Sequence, residues 1–381
     1  MYNMNISPFQ YGKIVSESAF VNRSREKELL IRHFQSGINT ILISPRRWGK
    51  TSLVKESMRL TPGKDITFVF IDLFSIRDEQ EFLTTFAREI MKATMNKREE
   101  ILKDARDWFK QLLPVLSFGI DPLSDISIKF DWEEAKKYRH EIINLPEVIA
   151  EQKKLQIVVC IDEFQNIAKF PDSLSIEKEL RACWQHHQHA SYCLFGSKRH
   201  MMMELFNQSE RPFYRFGDMI LLEKIATSEW VPFIIDRFSE SGKIISGTHA
   251  ELLVQKMKNH PYYIQMYSDY VWSLTSNQVT TEILELAIEE IVNHISFQFQ
   301  EDMENLSLTQ LNLIKAISAG ETQFTAKAVM DKYKLGTPRN VSRNKEVLRN
   351  KDILDTTDNK FSFLDPVFEI WFKKIFVSAY F

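Results

Sequence analysis

The stretch from Thr40 to Leu53, T-I-L-I-S-P-R-R-W-G-K-T-S-L, constrains the fold of this chain more than any other. An apolar run from Thr40 to Ile43 leads into a short polar turn, and Gly49-Lys50-Thr51 then opens a helix-permissive segment. Strand, turn and helix in this order predict a phosphate loop, because its backbone N–H groups point inward and the helix presents the positive end of its dipole. The pattern G-x-x-x-x-G-K-[ST] is met except at its first position, where Ser44 replaces glycine.

The residues of this loop have separate predicted roles. Lys50 is expected to reach the outer phosphates of ATP or ADP, and the Thr51 hydroxyl to bind Mg²⁺. Arg46 and Arg47 could contact phosphate or a neighbouring subunit, but we expect at least one of them to lie in solvent. The predicted nucleotide-binding residues of the loop are Ser44, Pro45, Arg46, Arg47, Trp48, Gly49, Lys50, Thr51 and Ser52.

A second motif lies about a hundred residues further on, where the apolar run from Leu155 to Ile161 ends in Asp162 and Glu163. Side chains alternate along a strand, so two consecutive acids at its carboxyl end can have different functions. We expect Asp162 to hold Mg²⁺, either directly or through one of the waters bound to the ion, and Glu163 to orient and deprotonate the attacking water. The alternative is a pair of solvated loop acids, which the phosphate loop earlier in the chain makes less favoured.

A third strand end carries Ser197, after the run from Tyr192 to Gly196. In nucleotide-hydrolysing folds a side chain at this place senses the terminal phosphate, and Ser197 is the candidate. The alternative is a serine in an ordinary strand-to-helix turn. Together with the runs from Ile66 to Phe74 and from Met219 to Glu223, five strands alternate with helices, which predicts a doubly wound α/β domain with its ligand at the carboxyl edge of a parallel sheet.

Composition limits the other possibilities. A length of 381 residues suits two or three domains, and a net charge of 49 − 51 = −2 argues against a chain-wide affinity for nucleic acid. The three cysteines have no metal-ligand spacing, and such a sparse set without a signal peptide predicts reduced thiols and a cytoplasmic location. No apolar run reaches the roughly 18 to 20 residues of a membrane span. The histidines at 186, 187 and 189 lack acidic or cysteine partners at ligand spacing, so no metal besides Mg²⁺ is predicted.

The C-terminal part predicts a winged helix-turn-helix: three short helices followed by a hairpin with its turn at Asp358-Asn359. The third helix begins at Thr337-Pro338 and is expected to expose Arg339, Asn340, Arg343 and Asn344, residue types that suit DNA phosphates and base edges. A role in packing or protein interaction is slightly favoured over DNA binding. The predicted domains are 1–225 (ATPase core), 226–303 (helical lid) and 304–381 (winged helix).

With these motifs in place, the chain resembles an archaeal-type ATPase of the STAND branch of AAA+ P-loop proteins. Besides the loop, the resemblance rests on the following motifs: Pro8-Phe9, Phe20-x-x-Arg23-x-x-Glu26, Ile161-Asp162-Glu163-Phe164-Gln165, Phe195-Gly196-Ser197, His260-Pro261-Tyr262-Tyr263 and Asp365-Pro366-x-Phe368-x-x-Trp371. It implies a sheet of order 5-1-4-3-2, a helical lid and a winged helix.

The resemblance also implies site residues that spacing alone does not give. Adenine would be flanked by two groups, Phe20, Val21 and Arg23 in one segment and Pro261 and Tyr262 in the lid. The family usually has glycine where this chain has Asn22 and Asn259, and asparagine tolerates a left-handed backbone better than most residues. A phosphate-sensing arginine would be Arg215, with Arg181 as its rival.

The function that follows is a Mg²⁺-dependent ATPase acting as a conformational switch, in which the nucleotide state moves the lid and the winged helix. Two alternatives stay open at the level of sequence. One is a DNA-binding regulator in which nucleotide is structural and hydrolysis negligible. The other is a scaffold that oligomerises through its ATPase faces and binds an unidentified protein partner.

Overall fold

The computed structural model describes residues 6–13, 21, 23–63, 65–95, 117–121, 124–129, 136–357 and 360–377. The chain divides into two compact units. The core unit is Arg23–Glu223, and the second unit combines Met1–Asn22 with Lys224–Phe381. The predicted domain borders near 225 and 303 stay a prediction.

The core unit alternates strands with helices. Its strands are β1 (Thr40–Ile43), β2 (Ile66–Asp72), β3 (Ser117–Asp121), β4 (Ser124–Lys129), β5 (Gln156–Asp162), β6 (Ala190–Gly196) and β7 (Asp218–Leu221). Its helices are α1 (Ser24–Ser36), α2 (Lys50–Leu60), α3 (Glu79–Thr94), α4 (Arg139–Lys153), α5 (Ser173–Trp184) and α6 (Arg199–Asn207), with a 3₁₀ helix at Phe164–Lys169.

Five of the strands described in the core unit form one parallel sheet in the order β2-β5-β6-β1-β7. Apart from the β3–β4 pair, this is the predicted order 5-1-4-3-2 viewed from the opposite edge, so the α/β fold class is confirmed. Every residue of β1 and β6 is buried, as expected for strands with helices on both faces. The antiparallel pair β3–β4 lies in the stretch 98–130, whose mixture of prolines, a glycine and β-branched residues predicts neither a helix nor a strand clearly.

The sheet determines where the site lies, because the carboxyl ends of parallel strands meet at one edge. β1 ends at Ile43, directly before the phosphate loop, and β5 ends at Asp162. β6 ends at Gly196, one residue before Ser197. Because β5, β6 and β1 are neighbours in the sheet, three motifs that are far apart in sequence lie at the same edge.

The second unit is mostly helical. Its helices are α7 (Thr227–Glu240), α8 (Gly247–Lys256), α9 (Pro261–Leu274), α10 (Thr281–Glu304), α11 (Leu308–Ser318), α12 (Lys327–Tyr333), α13 (Pro338–Asn350) and α14 (Pro366–Phe372). The hairpin strands are β8 (Leu354–Thr357) and β9 (Lys360–Phe363), and the predicted turn at Asp358-Asn359 lies outside the described residues. Helices α11 to α13 with this hairpin form the predicted winged helix, whose core includes the buried side chains of Leu348, Leu354 and Trp371.

Two expectations from composition can be compared with the structure. The three cysteines are free and buried. Within the described parts of the chain, no helix combines the length and apolar character that crossing a bilayer requires.

Candidate active site

The phosphate loop joins β1 to α2 through two left-handed backbone positions. Gly49 has a φ of 86° and Arg47 a φ of 63°. A Cβ at Gly49 would meet no atom within 4 Å, so the positive φ rather than lack of space favours glycine there. Ser44 is buried and is not among the described residues with positive φ, so the glycine that the motif lacks at this position is not required by the backbone.

The side chains of the loop are divided between solvent and interior. Arg46 and Arg47 are both exposed, which agrees with the expectation for at least one of them. Pro45 and Ser52 are buried, and Trp48 is half-buried. Contact of these residues with nucleotide stays a prediction.

Lys50 is the buried cation of the site. Its Nζ lies 2.7 Å from Glu163 Oε1 and 3.0 Å from Asp162 Oδ1. Burying an ammonium group is costly unless it is paired, so the two carboxylates account for its place in the fold. The three charged residues that the sequence assigned to ATP chemistry therefore form one contiguous cluster.

Thr51 and Asp162 form the predicted metal pair. The Thr51 hydroxyl donates a hydrogen bond of 2.6 Å to Asp162 Oδ2. Two oxygen donors side by side suit Mg²⁺, which usually takes one or two carboxylates and completes its shell with phosphate oxygens and water. Among the described residues no group of three or more His, Cys, Asp or Glu side chains is arranged to bind a metal, so an all-protein metal cage is not indicated there.

Glu163 leaves the line of β5 because its backbone is left-handed, with φ 52° and ψ 38°. Its Oε2 accepts a hydrogen bond of 2.7 Å from Ser197 Oγ and another from Gln165 Nε2. Burial raises the pKa of Glu163, but the charge of Lys50 and the hydrogen bonds it accepts outweigh this effect and lower the pKa below its ordinary value. Glu163 is therefore held as a carboxylate.

Ser197 thus lies at the site, and its predicted role as sensor of the terminal phosphate stays a prediction. Sequence reasoning assigned no role to Gln165, although it was part of the motif after β5. It also missed Asp72, whose Cα pairs in register with that of Asp162 across β2 and β5. An acid at the end of an apolar strand was a usable signal for Asp72, whereas the contact of Gln165 with Glu163 depends on the left-handed turn between them.

Arg23 supports the loop from behind. This buried guanidinium donates to the Trp48 carbonyl at 3.2 Å and to the Glu223 carbonyl at 3.0 Å, and it pairs with Glu26 at 3.3 Å. Burial lowers the pKa of Arg23 from its ordinary value, while Glu26 opposes that shift. The bonds of Arg23 fix the loop backbone, and its predicted contact with adenine stays a prediction.

The other residues predicted to flank adenine lie in two separate segments of the chain. Phe20 and Asn22 lie outside the described residues, and Val21 is buried in the apolar core of the second unit. Pro261 and Tyr262 form the first turn of α9. Asn259, which stands where the family has glycine, adopts φ 59°, so this position does require a left-handed backbone. Adenine contact stays a prediction for Phe20, Val21, Pro261 and Tyr262.

The two candidate phosphate-sensing arginines both pack on aromatic rings. The exposed Arg215 has a left-handed backbone, with φ 53°, and its guanidinium lies 5.0 Å from the centroid of the Tyr214 ring. Arg181 lies 5.1 Å from the centroid of the Phe216 ring, and partial burial lowers its pKa. Neither contact assigns the sensor, so both candidates remain.

One expectation about the winged helix is wrong. Asn344 was placed on the exposed face of α13, but only 8% of its surface is accessible, because it lies on the buried side of the helix with Val341 and Leu348. Arg339 and Arg343 are exposed, as expected. The nearby Lys345 has its Nζ 4.6 Å from the Phe324 centroid and 4.5 Å from the Phe361 centroid, so part of the basic character of α13 is directed to its own fold.

Comparison with known proteins agrees with this geometry. A family model described as an ATPase domain predominantly from Archaea matches residues 20–267. The chain belongs to this ATPase family. A second model, described as a probable winged helix domain, matches residues 297–374. Among curated proteins, a search finds no match.

Solved structures with the same fold include two archaeal proteins. A Walker-type ATPase of Pyrococcus abyssi is 16% identical, with a TM-score of 0.66 over 94% of this chain and 97% of that chain. The ORC2 protein of Aeropyrum pernix, described in ADPNP–ADP complexes, is 14% identical, with a TM-score of 0.60 over 98% of this chain and 99% of that chain. At these identities the similarity shows the fold alone.

Proposed function

We propose that this ATPase-family chain binds ATP with Mg²⁺, hydrolyses it, and acts as a molecular switch whose nucleotide state moves the helical lid and the winged helix. The observation that carries the proposal is the cluster of Lys50, Thr51, Asp162 and Glu163 at the carboxyl edge of the sheet. The cluster combines one ammonium group, two carboxylates and one hydroxyl, which are the groups that the proposed phosphate chemistry needs.

The roles follow from the contacts. The Lys50 ammonium, now paired with Glu163 and Asp162, would bind the oxygens of the outer phosphates and stabilise their charge. Thr51 and Asp162 would hold Mg²⁺, which supplies further neutralisation of phosphate charge. Glu163 would take a proton from water as the water oxygen bonds to the γ-phosphorus, and the bond from that phosphorus to the bridging oxygen of ADP breaks.

Replacing Glu163 with glutamine tests the catalytic part. The variant keeps the size of the side chain but loses the base, so turnover should fall about 10²- to 10⁴-fold while ATP affinity is retained. The matched control is Glu210→Gln, the same substitution at an exposed position, which should leave both values unchanged. Measurement of phosphate release and of equilibrium ATP binding on the same preparations separates the two effects. Unchanged turnover in Glu163→Gln would remove Glu163 from the mechanism.

The same variant tests the switch, because it should remain in the ATP-bound state. We expect hydrogen exchange in the lid residues 226–303 to differ between Glu163→Gln with ATP and with ADP, because the lid would change its packing with nucleotide. Identical exchange with both nucleotides, measured at saturation, would leave an ATPase without the switch.

A second candidate function is nucleotide-regulated DNA binding through the winged helix, favoured by the exposed Arg339 and Arg343 at the start of α13. If the helix contacts phosphates, log affinity for duplex DNA falls linearly with log salt, and Arg343→Ala reduces the slope by about 1. The control is Arg349→Ala, since Arg349 is half-buried at the other end of the helix. A slope that does not change in Arg343→Ala, or no binding at low salt, would contradict this candidate. The oligomerising scaffold stays a prediction.

A further inference from the structure

The carboxylate of Glu163 has a donor on each oxygen. Lys50 Nζ lies 2.7 Å from Oε1, and Ser197 Oγ donates to Oε2 at 2.7 Å, with the Ser197 amide at 3.4 Å. Gln165 Nε2 is the further donor to Oε2. Lys50 and Ser197 are both groups proposed to contact phosphate, so bound ATP would compete with Glu163 for them. Gln165 is the donor with no proposed phosphate contact.

Gln165 is fixed in place. It lies in the 3₁₀ helix directly after Glu163, and only 1% of its surface is accessible. Its amide is packed against Gly196 so closely that a Cβ on Gly196 would lie 1.9 Å from Gln165 Oε1. Gly196 has to be glycine for this approach, and the end of β6 therefore limits the rotamers of Gln165.

Only one of the two polar atoms of the Gln165 side-chain amide has a hydrogen-bond partner in the part of the chain that the structure describes. Nε2 donates to Glu163, while Oε1 is buried and has no hydrogen-bond partner among the described residues. A buried acceptor without a partner destabilises a fold, and an apolar side chain of similar length, such as methionine, would avoid that penalty. What glutamine adds at this position is the hydrogen bond to the Glu163 carboxylate, so its use here points to the site rather than to the core.

We propose that Gln165 is a positioning residue for hydrolysis, which keeps the Glu163 carboxylate oriented when ATP takes over the donors Lys50 and Ser197. The inference rests on the proposed role of Glu163 as the base. Because Gln165 binds Oε2, the other oxygen, Oε1, becomes available to accept the proton from the attacking water once Lys50 turns to phosphate. Without Gln165 the carboxylate would sample other rotamers, and misorientation of a base slows turnover more than it weakens binding.

The test is Gln165→Met, which keeps length and volume and removes the donor. The value of kcat should fall about 10-fold, the worth of a hydrogen bond to a charged group, and the KM for ATP should change less than about threefold. The matched control is Asn166→Leu, since Asn166 is the next residue and its buried amide donates to the Leu73 carbonyl at 3.2 Å instead of to Glu163. The control should keep kcat within about threefold of the parent.

A double variant separates positioning from general damage. If Gln165 acts through Glu163, adding Gln165→Met to Glu163→Gln lowers kcat no further, because the base is already gone. A further 10-fold loss in the double variant, or an unchanged kcat in the single variant, would overturn the inference. Melting curves establish that each variant is folded. Gln165→Leu, which also removes the donor, should reproduce the loss if Gln165→Met is unstable.

Failure of this inference can be distinguished from failure of the proposed function. If Glu163→Gln lowers turnover and Gln165→Met does not, the ATPase mechanism stands and only the positioning role is lost. If Glu163→Gln itself leaves turnover unchanged, the base has been misassigned, and the role of Gln165 falls with it.

Discussion

Two polar clusters, each made of buried and half-buried side chains, lie at opposite ends of β6 and differ in the charge that they hold. The active-site cluster, Lys50, Asp162, Glu163 and Ser197, lies at the carboxyl end of the strand. The histidine cluster, Asn144, His187 and Tyr192, lies near the amino end. In the latter, His187 Nδ1 is 2.8 Å from the Tyr192 hydroxyl and its Nε2 is 2.8 Å from Asn144 Oδ1.

The histidine cluster contains neutral groups that satisfy one another. Burial lowers the pKa of His187 to about 4 and raises that of Tyr192 well above its ordinary value, so both are uncharged near neutral pH. A neutral imidazole can donate from Nε2 to Asn144 while its Nδ1 accepts from Tyr192, which completes the pair of hydrogen bonds. In the active-site cluster, by contrast, the donors around Glu163 could equally well bind phosphate oxygens. The charged groups of the active-site cluster can exchange their protein partners for a ligand, whereas the neutral groups of the histidine cluster only satisfy one another.

Replacing Lys50 with alanine should produce the larger effect. Loss of the ammonium removes charge-assisted hydrogen bonds to phosphate, and we expect ATP affinity to fall at least about 10³-fold, or about 4 kcal/mol. Titration calorimetry or a fluorescent ATP analogue measures this directly. Lys55→Ala is the control, because Lys55 is exposed on the same helix, and it should bind ATP as the parent does. Retained affinity in Lys50→Ala would mean that the two clusters do not differ in function.

Titration of the histidine cluster should change the free energy of unfolding and leave nucleotide binding unchanged. Because the pKa of His187 is lowered from 6.5 to about 4, the unfolded chain binds a proton that the folded chain excludes. The stability that the neutral His187 side chain gives the fold is therefore fully present above pH 6.5 and is lost as the pH falls toward 4. Between pH 7 and 5 this amounts to about 2 kcal/mol of the free energy of unfolding.

The measurement compares urea unfolding of the parent and His187→Gln at several pH values. The difference in free energy between the two proteins should narrow by about 2 kcal/mol from pH 7 to 5, because glutamine does not titrate. ATP affinity of the folded variant should equal that of the parent. A difference that stays constant with pH, or a loss of ATP affinity in His187→Gln, would contradict the structural role of this cluster.

Much of the site could be predicted from sequence because its residues follow strand ends, and parallel strands bring their ends together. Lys50, Thr51, Asp162, Glu163 and Ser197 were each identified from local pattern, and the structure brings them to one edge. The strand order itself came from family resemblance rather than from periodicity. Sequence patterns could therefore identify which residues lie at this edge of the sheet, but they could not give all of the contacts between those residues.

The parts that sequence reasoning missed depend on packing between distant elements. The contact of Gln165 with Glu163 needs a left-handed turn and the close approach of Gly196, neither of which has a local signal. Asn344 was misplaced because the buried side of α13 is fixed by the helices and strands around it. The β3–β4 pair was left unassigned, although Ile126 and Ile128 alternate with polar residues, because prolines and a glycine interrupt the stretch around it.

The buried guanidinium of Arg23 has a mechanical consequence. It joins the carbonyl of Trp48, in the phosphate loop, to the carbonyl of Glu223, the last residue of the core unit. Since the guanidinium is planar and rigid, a shift of the loop backbone on phosphate binding would displace the final peptide of this unit through one side chain. This side chain would then couple movement of the loop backbone to the peptide at which the chain leaves the sheet.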